Sequence, residues 1–262
     1  MRKRGEWTLA IRRVKSKWAK TKVLLRSRDV RPYIPLTKRY SREALRALLE
    51  QFGMVYVKPV NGMYGDGVIR VEKRRETSSY HYQIQKTGHD VPSFDELCQE
   101  LQRHIQGKSY LVQRGIHLLK HQKRRFDLRV MIQLNPRNRW ETTGIIGRLA
   151  HPRNVVTNYH SGGKMVAFEK LMSGHLSAAE LSAYRQKLEK LGEAIGNQLS
   201  AAYPGIKELG ADIAIDTQLH PWVLEVNTKP HPYIFNKLSD KTMHRKIMRY
   251  FKAYGGGRKK RA

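Results

Sequence analysis

Residues 209 to 230, Leu-Gly-Ala-Asp-Ile-Ala-Ile-Asp-Thr-Gln-Leu-His-Pro-Trp-Val-Leu-Glu-Val-Asn-Thr-Lys-Pro, constrain the fold most, because two short apolar runs flank a polar turn and carry acids among core-type neighbours. The pattern reads as a β-hairpin. With the turn centred between Gln218 and Leu219, Asp212 falls opposite Glu225, and opposed residues of an antiparallel pair point to one face. Asn227, two residues along, shares that face. Two carboxylates set against each other among Ile, Ala, Val and Leu repel, so the arrangement calls for a cation between them. Two carboxylates and an amide oxygen are hard donors that suit magnesium. The alternative is ordinary strand acids on a solvated face, and the rest of the chain must separate the two readings.

A chain of 262 residues, 40% of them hydrophobic, can bury a full core in one or two lobes. Its 51 Lys and Arg against 22 Asp and Glu give a formal charge of +29. So large an excess implies anionic partners: nucleotide, acidic polymer, nucleic acid or membrane surface. The single cysteine, Cys98, excludes an intrachain disulfide and any multi-cysteine metal site within one chain, which fits a reducing compartment. No apolar run approaches the roughly 18 residues of a membrane span, and no signal-peptide core follows the basic N-terminus. A cytoplasmic protein is expected. The eleven histidines show no zinc spacing.

Residues 1 to 28 carry eleven Lys or Arg and one acid, with Trp7, Leu9, Ile11, Val14 and Trp18 interleaved, and read either as a solvated arm or as a basic helix with an apolar stripe. Ser41 is a plausible N-cap for a helix bearing Ala44, Leu45, Leu48 and Leu49. Met54 to Lys58 is a compact strand. After Pro59, Gly62, Gly65 and Gly67 form a loop before a second apolar run. Glycines there let backbone amides turn toward phosphate oxygens, with Lys58 as a point charge beside them, although the spacing is not that of a P-loop. Tyr80 to Lys86 alternates as a strand, and Ser93 to Glu96 opens a helix reaching about Gln106. Tyr110 to Gln113 is a strand, and Arg114 to Ile116 reads as a connector between lobes. Phe126 to Leu134 and Trp140 to Leu149 form a hairpin that places Asp127 and Arg129 on one face and delivers Arg148 beside them. Ser177 with Glu180 is a capping box for a long helix whose Leu181, Tyr184, Leu188, Leu191, Ile195 and Leu199 are core. A closing basic helix is expected over 239–254, followed by a charged, flexible tail.

In this order, Lys58-Pro59 with the glycine loop, Phe126-Asp127-Leu128-Arg129, Arg148, Asn158 with Gly162-Gly163, and Asp212, Glu225 and Asn227 resemble the ATP-grasp superfamily, specifically its YheC/YheD branch associated with the endospore coat. The resemblance covers roughly residues 32 to 238. It implies an α+β ATP-grasp fold with two lobes gripping nucleotide and without a full N-terminal pre-grasp domain. The division it suggests is a basic arm over 1–31, a small lobe over 32–112, a large lobe over 113–238 and a basic helix and tail over 239–262. Lys58 and the loop of Gly62, Gly65 and Gly67 would hold ATP phosphates. Gln113, Gly115 and Ile116 would face adenine, and Asp127 would face ribose. Asp212, Glu225 and Asn227 would hold magnesium, and Arg129, Arg148 and Asn158 would meet the transferred phosphoryl group and acceptor. Two departures stand out: Gly210 occupies a position where many ATP-grasp ligases carry arginine, so that Arg148 or Arg129 must serve, and the bulk of an N-terminal substrate domain is missing. For a second phosphate lysine Lys38 is the candidate, with an ordinary solvated lysine as the alternative reading.

The resemblance implies an ATP-dependent carboxylate-amine ligase working through an acyl phosphate. Its carboxylate and amine substrates are not named by the sequence. The alternative is a non-catalytic spore-coat binding or structural protein that keeps the fold. The basic arms are expected to hold an acidic polymer or coat components, which would place the protein in the cytoplasm or at the spore coat. Generic nucleic-acid binding explains the charge but not the opposed carboxylates.

Overall fold

The computed structural model describes residues 11–62, 65–74, 76–150 and 163–254. It opens on a short helix, α1 (Lys17–Leu24), capped by the Ser16 hydroxyl, which accepts a hydrogen bond from the Ala19 amide.

The small lobe follows as β1 (Thr37–Arg39), α2 (Arg42–Phe52), β2 (Met54–Pro59), β3 (Ile69–Arg74), β4 (Ser79–Ile84), β5 (Thr87–Val91), α3 (Phe94–Ile105) and β6 (Tyr110–Arg114). Its strands form one antiparallel sheet in the order β1-β6-β2-β3-β4-β5. Val55, Val57, Val71 and Val112 alternate onto the face covered by Leu45, Leu48 and Leu49 of α2 and Leu97 and Leu101 of α3. That alternation leaves Tyr56, Lys58 and Gln113 on the opposite face. Edge strand β5 is exposed along most of its length and has no apolar alternation, so the sequence pattern gave no sign of it.

The large lobe comprises β7 (Lys120–His121), β8 (Arg124–Leu134), β9 (Trp140–Leu149), β10 (Lys164–Ala167), α4 (Phe168–Met172), α5 (Ala178–Ala202), β11 (Glu208–Ile215), β12 (Pro221–Asn227) and α6 (Thr242–Ala253). Here the antiparallel order is β10-β9-β8-β11-β12, with β7 paired onto β8. Leu128, Val130, Ile132, Leu209, Ala211 and Ile213 bury one face against Leu188, Leu191, Ile195 and Leu199 of α5. Both halves of the capping box at Ser177 and Glu180 are present at the start of α5. On the other face, α6 covers only one end, where Ile247 packs with Met131, Ile146 and Phe235.

The described part of the 1–31 stretch is not a free arm. Val23 and Leu24 are buried with Val30 and Ile34 in the same core as α5, and the Gln198 side chain donates to the Val23 carbonyl at 2.9 Å. The cations dominate the sequence here, but these four apolar side chains fix the packing. Further back, Arg13 pairs with buried Glu208 at 2.9 Å and also donates to the Thr228 carbonyl. The tail after Tyr254 lies outside the described residues.

Candidate functional site

Strands β11 and β12 place Asp212 directly opposite Glu225 and Gly210 opposite Asn227. The turn does not close where the sequence reading centred it. Ile215 pairs with Pro221 and Ile213 with Val223, so Leu224 is an extra residue, and this bulge brings Glu225 back opposite Asp212. Two rows of side chains therefore cross the sheet on the face away from α5. One runs Ile146, Arg129, Asp212, Glu225; the next runs Arg148, Asp127, Ala214, Trp222.

The repulsion of the opposed carboxylates is met by cations of the chain itself. Arg129 Nε donates to Asp212 Oδ1 at 2.6 Å, and Arg148 Nη2 lies 3.1 Å from Asp212 Oδ2. Arg148 also grips Asp127 through two bonds, Nε to Oδ1 at 2.8 Å and Nη2 to Oδ2 at 2.6 Å. Burial raises the cost of charge on Asp212, yet Arg129 and Arg148 outweigh it and hold its carboxyl below the usual range. Burial likewise opposes the charge on Arg148, and Asp127 and Asp212 more than offset it, so the guanidinium holds its proton more tightly than usual.

Three lysines approach the Glu225 side of this row. Lys58 Nζ, reaching over from the small lobe, donates to Gln113 Oε1 at 2.8 Å and to the carbonyl of the bulge residue Leu224 at 2.9 Å. Lys17 Nζ donates to the Gly62 carbonyl at 2.8 Å and lies 3.4 Å from Glu225 Oε1. Lys20, one turn along α1, donates to the Val14 carbonyl at 3.1 Å. These lysines and Glu225 line a cavity of about 10 Å³, enough for one water. Burial lowers the pKa of both Lys20 and Lys58 to about 8, with Glu225 acting in the opposite direction.

Of the residues expected to contact nucleotide, Gln113 lies within β6 and is buried; its amide donates to Thr37 Oγ1 at 2.9 Å while its oxygen holds Lys58. Gly115 donates its amide to the Met54 carbonyl at 2.9 Å, and Ile116 is buried. Gly65 and Gly67 have φ of 76° and 69°, the left-handed region that favours glycine. Asn158 and Gly162 lie outside the described residues. Lys38 is exposed on edge strand β1. The lysines that do reach the site, Lys17 and Lys20, were missed because the run of cations around them read as an arm. Their spacing of three after the N-cap Ser16 was the available signal. At Gly210, a Cβ would stand 2.9 Å from Pro230 Cβ and 3.1 Å from Arg129 Nη1. Arg129 thus fills the space that a side chain at position 210 would need.

A metal here has defined limits. Among the described residues no group of three or more His, Cys, Asp or Glu side chains converges as a metal site. Asp212, Glu225 and Asn227 offer two carboxylates and one amide oxygen, a hard-donor set that fits magnesium when phosphate oxygens and water supply the remaining ligands.

A family model described as YheC/D-like ATP-grasp matches residues 8–256. The chain belongs to this family. It is 24% identical over 226 residues to the endospore coat-associated protein YheD of Bacillus subtilis (strain 168), which covers 84% of the chain and 49% of YheD. Endospore coat-associated protein YheC of the same strain is also 24% identical, over 220 residues, covering 82% of the chain and 59% of YheC. The chain thus spans about half to three-fifths of these relatives. Among solved structures, N5-carboxyaminoimidazole ribonucleotide synthetase from Thermotoga maritima aligns with TM-score 0.50 at 12% identity, over 91% of this chain and 49% of that one. N5-carboxyaminoimidazole synthase from Aspergillus clavatus, in complex with ADP and 5-aminoimidazole ribonucleotide, aligns with TM-score 0.53 at 12% identity, over 92% and 52%. The fold, two lobes each built on an antiparallel sheet, is that of the ATP-grasp proteins. No helix among the described residues is long and apolar enough to cross a membrane.

Proposed function

We propose that this chain binds ATP and magnesium between its lobes and acts as a carboxylate-amine ligase through an acyl phosphate. The observation that carries the reading is convergence: Lys58 from the small lobe, Lys17 from α1 and Glu225 from the large-lobe hairpin line one small cavity, with Asp212 paired opposite Glu225. Phosphoryl transfer asks a protein mainly for position and charge neutralisation, and this cleft supplies both. Lys17 and Lys58 take the phosphate chain, with the glycine loop of Gly62, Gly65 and Gly67 over it. Gln113 orients the Lys58 ammonium, while Gly115 and Ile116 lie at the adenine side and Asp127 at the ribose. Magnesium, held by Asp212, Glu225 and Asn227, would neutralise charge on the transferring group. Arg129 and Arg148 present planar donors suited to a carboxylate or a phosphoryl group. Neither has to change protonation. Asn158, outside the described residues, would meet the acceptor, as the resemblance implies.

One observation favours a second reading, a coat-associated binding protein without turnover: both arginines are already engaged by Asp127 and Asp212. The names of the Bacillus relatives support a spore-coat setting for either reading. The two readings separate in one assay. Purified protein with ATP, magnesium, hydroxylamine and a panel of amino acids, peptides and wall precursors should release ADP and yield a hydroxamate from the trapped acyl phosphate. ATP binding with neither product across that panel selects the binding protein.

A further inference from the structure

The charges around the Asp212–Glu225 pair are unequal. Lys17, Lys20, Lys58, Arg129 and Arg148 set five cations against three carboxylates, Asp127, Asp212 and Glu225. Each carboxylate is already engaged or flanked by a cation of the chain. Asp212 has one oxygen on Arg129 and the other on Arg148, Asp127 is held through both oxygens, and Glu225 faces Lys17. A free divalent cation approaching this cluster meets an excess of two positive charges and carboxylates already in ion pairs. A polyphosphate meets attraction, and its oxygens offer Lys17 and Lys58 better acceptors than the Gly62 and Leu224 carbonyls they now hold.

We propose that the site is first a polyphosphate site: it binds a phosphate chain without metal, and magnesium enters only with or after the phosphates. This rests on the nucleotide reading and reverses the order that opposed carboxylates suggest in the sequence. In the absence of ligand Asp212 and Glu225 serve as counter-ions to the arginines and lysines. Phosphate draws Lys17 away from Glu225, and only then does the carboxylate pair gain the net negative charge that holds a divalent cation. Binding in the other order would set magnesium against Lys17, Arg129 and Arg148 in a partly dry cleft, where like-charge repulsion is weakly screened.

Titration calorimetry on the whole chain tests this with ADP, inorganic tripolyphosphate and magnesium chloride, the first two in EDTA. ADP and tripolyphosphate should both bind without metal, with affinity falling as salt rises. Magnesium alone should give no saturable heat, and adding it to the ADP complex should tighten ADP. Glu225→Gln removes one counter-charge at a part-exposed position, so it should tighten metal-free tripolyphosphate by about tenfold and lose the magnesium-dependent gain. Saturable binding of magnesium alone, with ADP binding only in its presence, overturns the inference and leaves the nucleotide reading standing. Tripolyphosphate binding without ADP or ATP binding does the reverse. Absence of any phosphate binding by protein with an intact circular dichroism spectrum sinks both.

Discussion

Lys58 concentrates the physics of the site in one side chain. Its ammonium is buried, holds two neutral oxygens and sits near like charges on Lys17 and Lys20. With a folded pKa of about 8 against 10.5 unfolded, it releases its proton first in the folded state, and Lys20 does the same. Between about pH 8 and 10.5 the unfolded chain therefore holds more protons, and stability rises with pH across that window. Urea midpoints at pH 7.5 and 9.5 check the sign, and Lys58→Met should flatten part of the rise. Phosphate affinity should run the other way, falling as Lys58 loses its charge above pH 8. An ADP affinity that is flat from pH 7 to 9.5 would remove Lys58 from the phosphate site.

The elements show why a charged segment need not be an arm. Leu24 is buried in the large-lobe core beside Val23, and α1 lies against α5 and β12. Leu24→Ala should cost about 3 kcal/mol of stability, the range for a buried leucine. A solvated helix would lose almost nothing. A second joint crosses between lobes, where the Arg114 guanidinium lies 4.9 Å from the centroid of Phe52 on one side and 4.7 Å from that of Trp222 on the other. Asp216 fixes Trp222 by accepting its indole N–H at 2.8 Å. Trp222→Ala removes a half-buried ring and one cation–π contact, so it should lower stability by about 2 kcal/mol. It should also weaken ADP more than tripolyphosphate, because the joint abuts the connector at Gly115 rather than the phosphate side. Equal weakening of both ligands would show that the joint supports the whole cleft.

At the scale of the molecule, the charge of +29 is not confined to the ends of the sequence. The last eight residues contribute only Arg258, Lys259, Lys260 and Arg261, and α6 before them carries Arg245, Lys246, Arg249 and Lys252 with no acid. Deleting 255–262 should leave ADP affinity unchanged and reduce the salt dependence of binding to a duplex polyanion by up to about 0.9 per lost phosphate contact. Removing the first 28 residues is a different operation. It takes away Lys17, Lys20 and Leu24, so loss of phosphate binding and of large-lobe stability is expected together.

What the sequence determined by itself was local. Alternation and capping residues marked β2, β6, β8, β9 and the hairpin of β11 and β12, and placed the starts of α2, α3 and α5, because each depends on neighbours along the chain. The opposition of Asp212 and Glu225 was legible even though the turn was centred half a residue away, since the Leu224 bulge absorbs the difference. The order of the motifs also marked the ATP-grasp family. Strands β1, β5, β7 and β10 are short or exposed and lack a pattern to read. Only tertiary structure decided which cations answer the two carboxylates. Arg129 and Arg148 come from neighbouring strands, but Lys17 lies 208 positions before Glu225 and Lys58 reaches in from the other lobe. No periodicity within a segment encodes such distances; packing of α1 beneath β12 and closure of two sheets over one cleft set them.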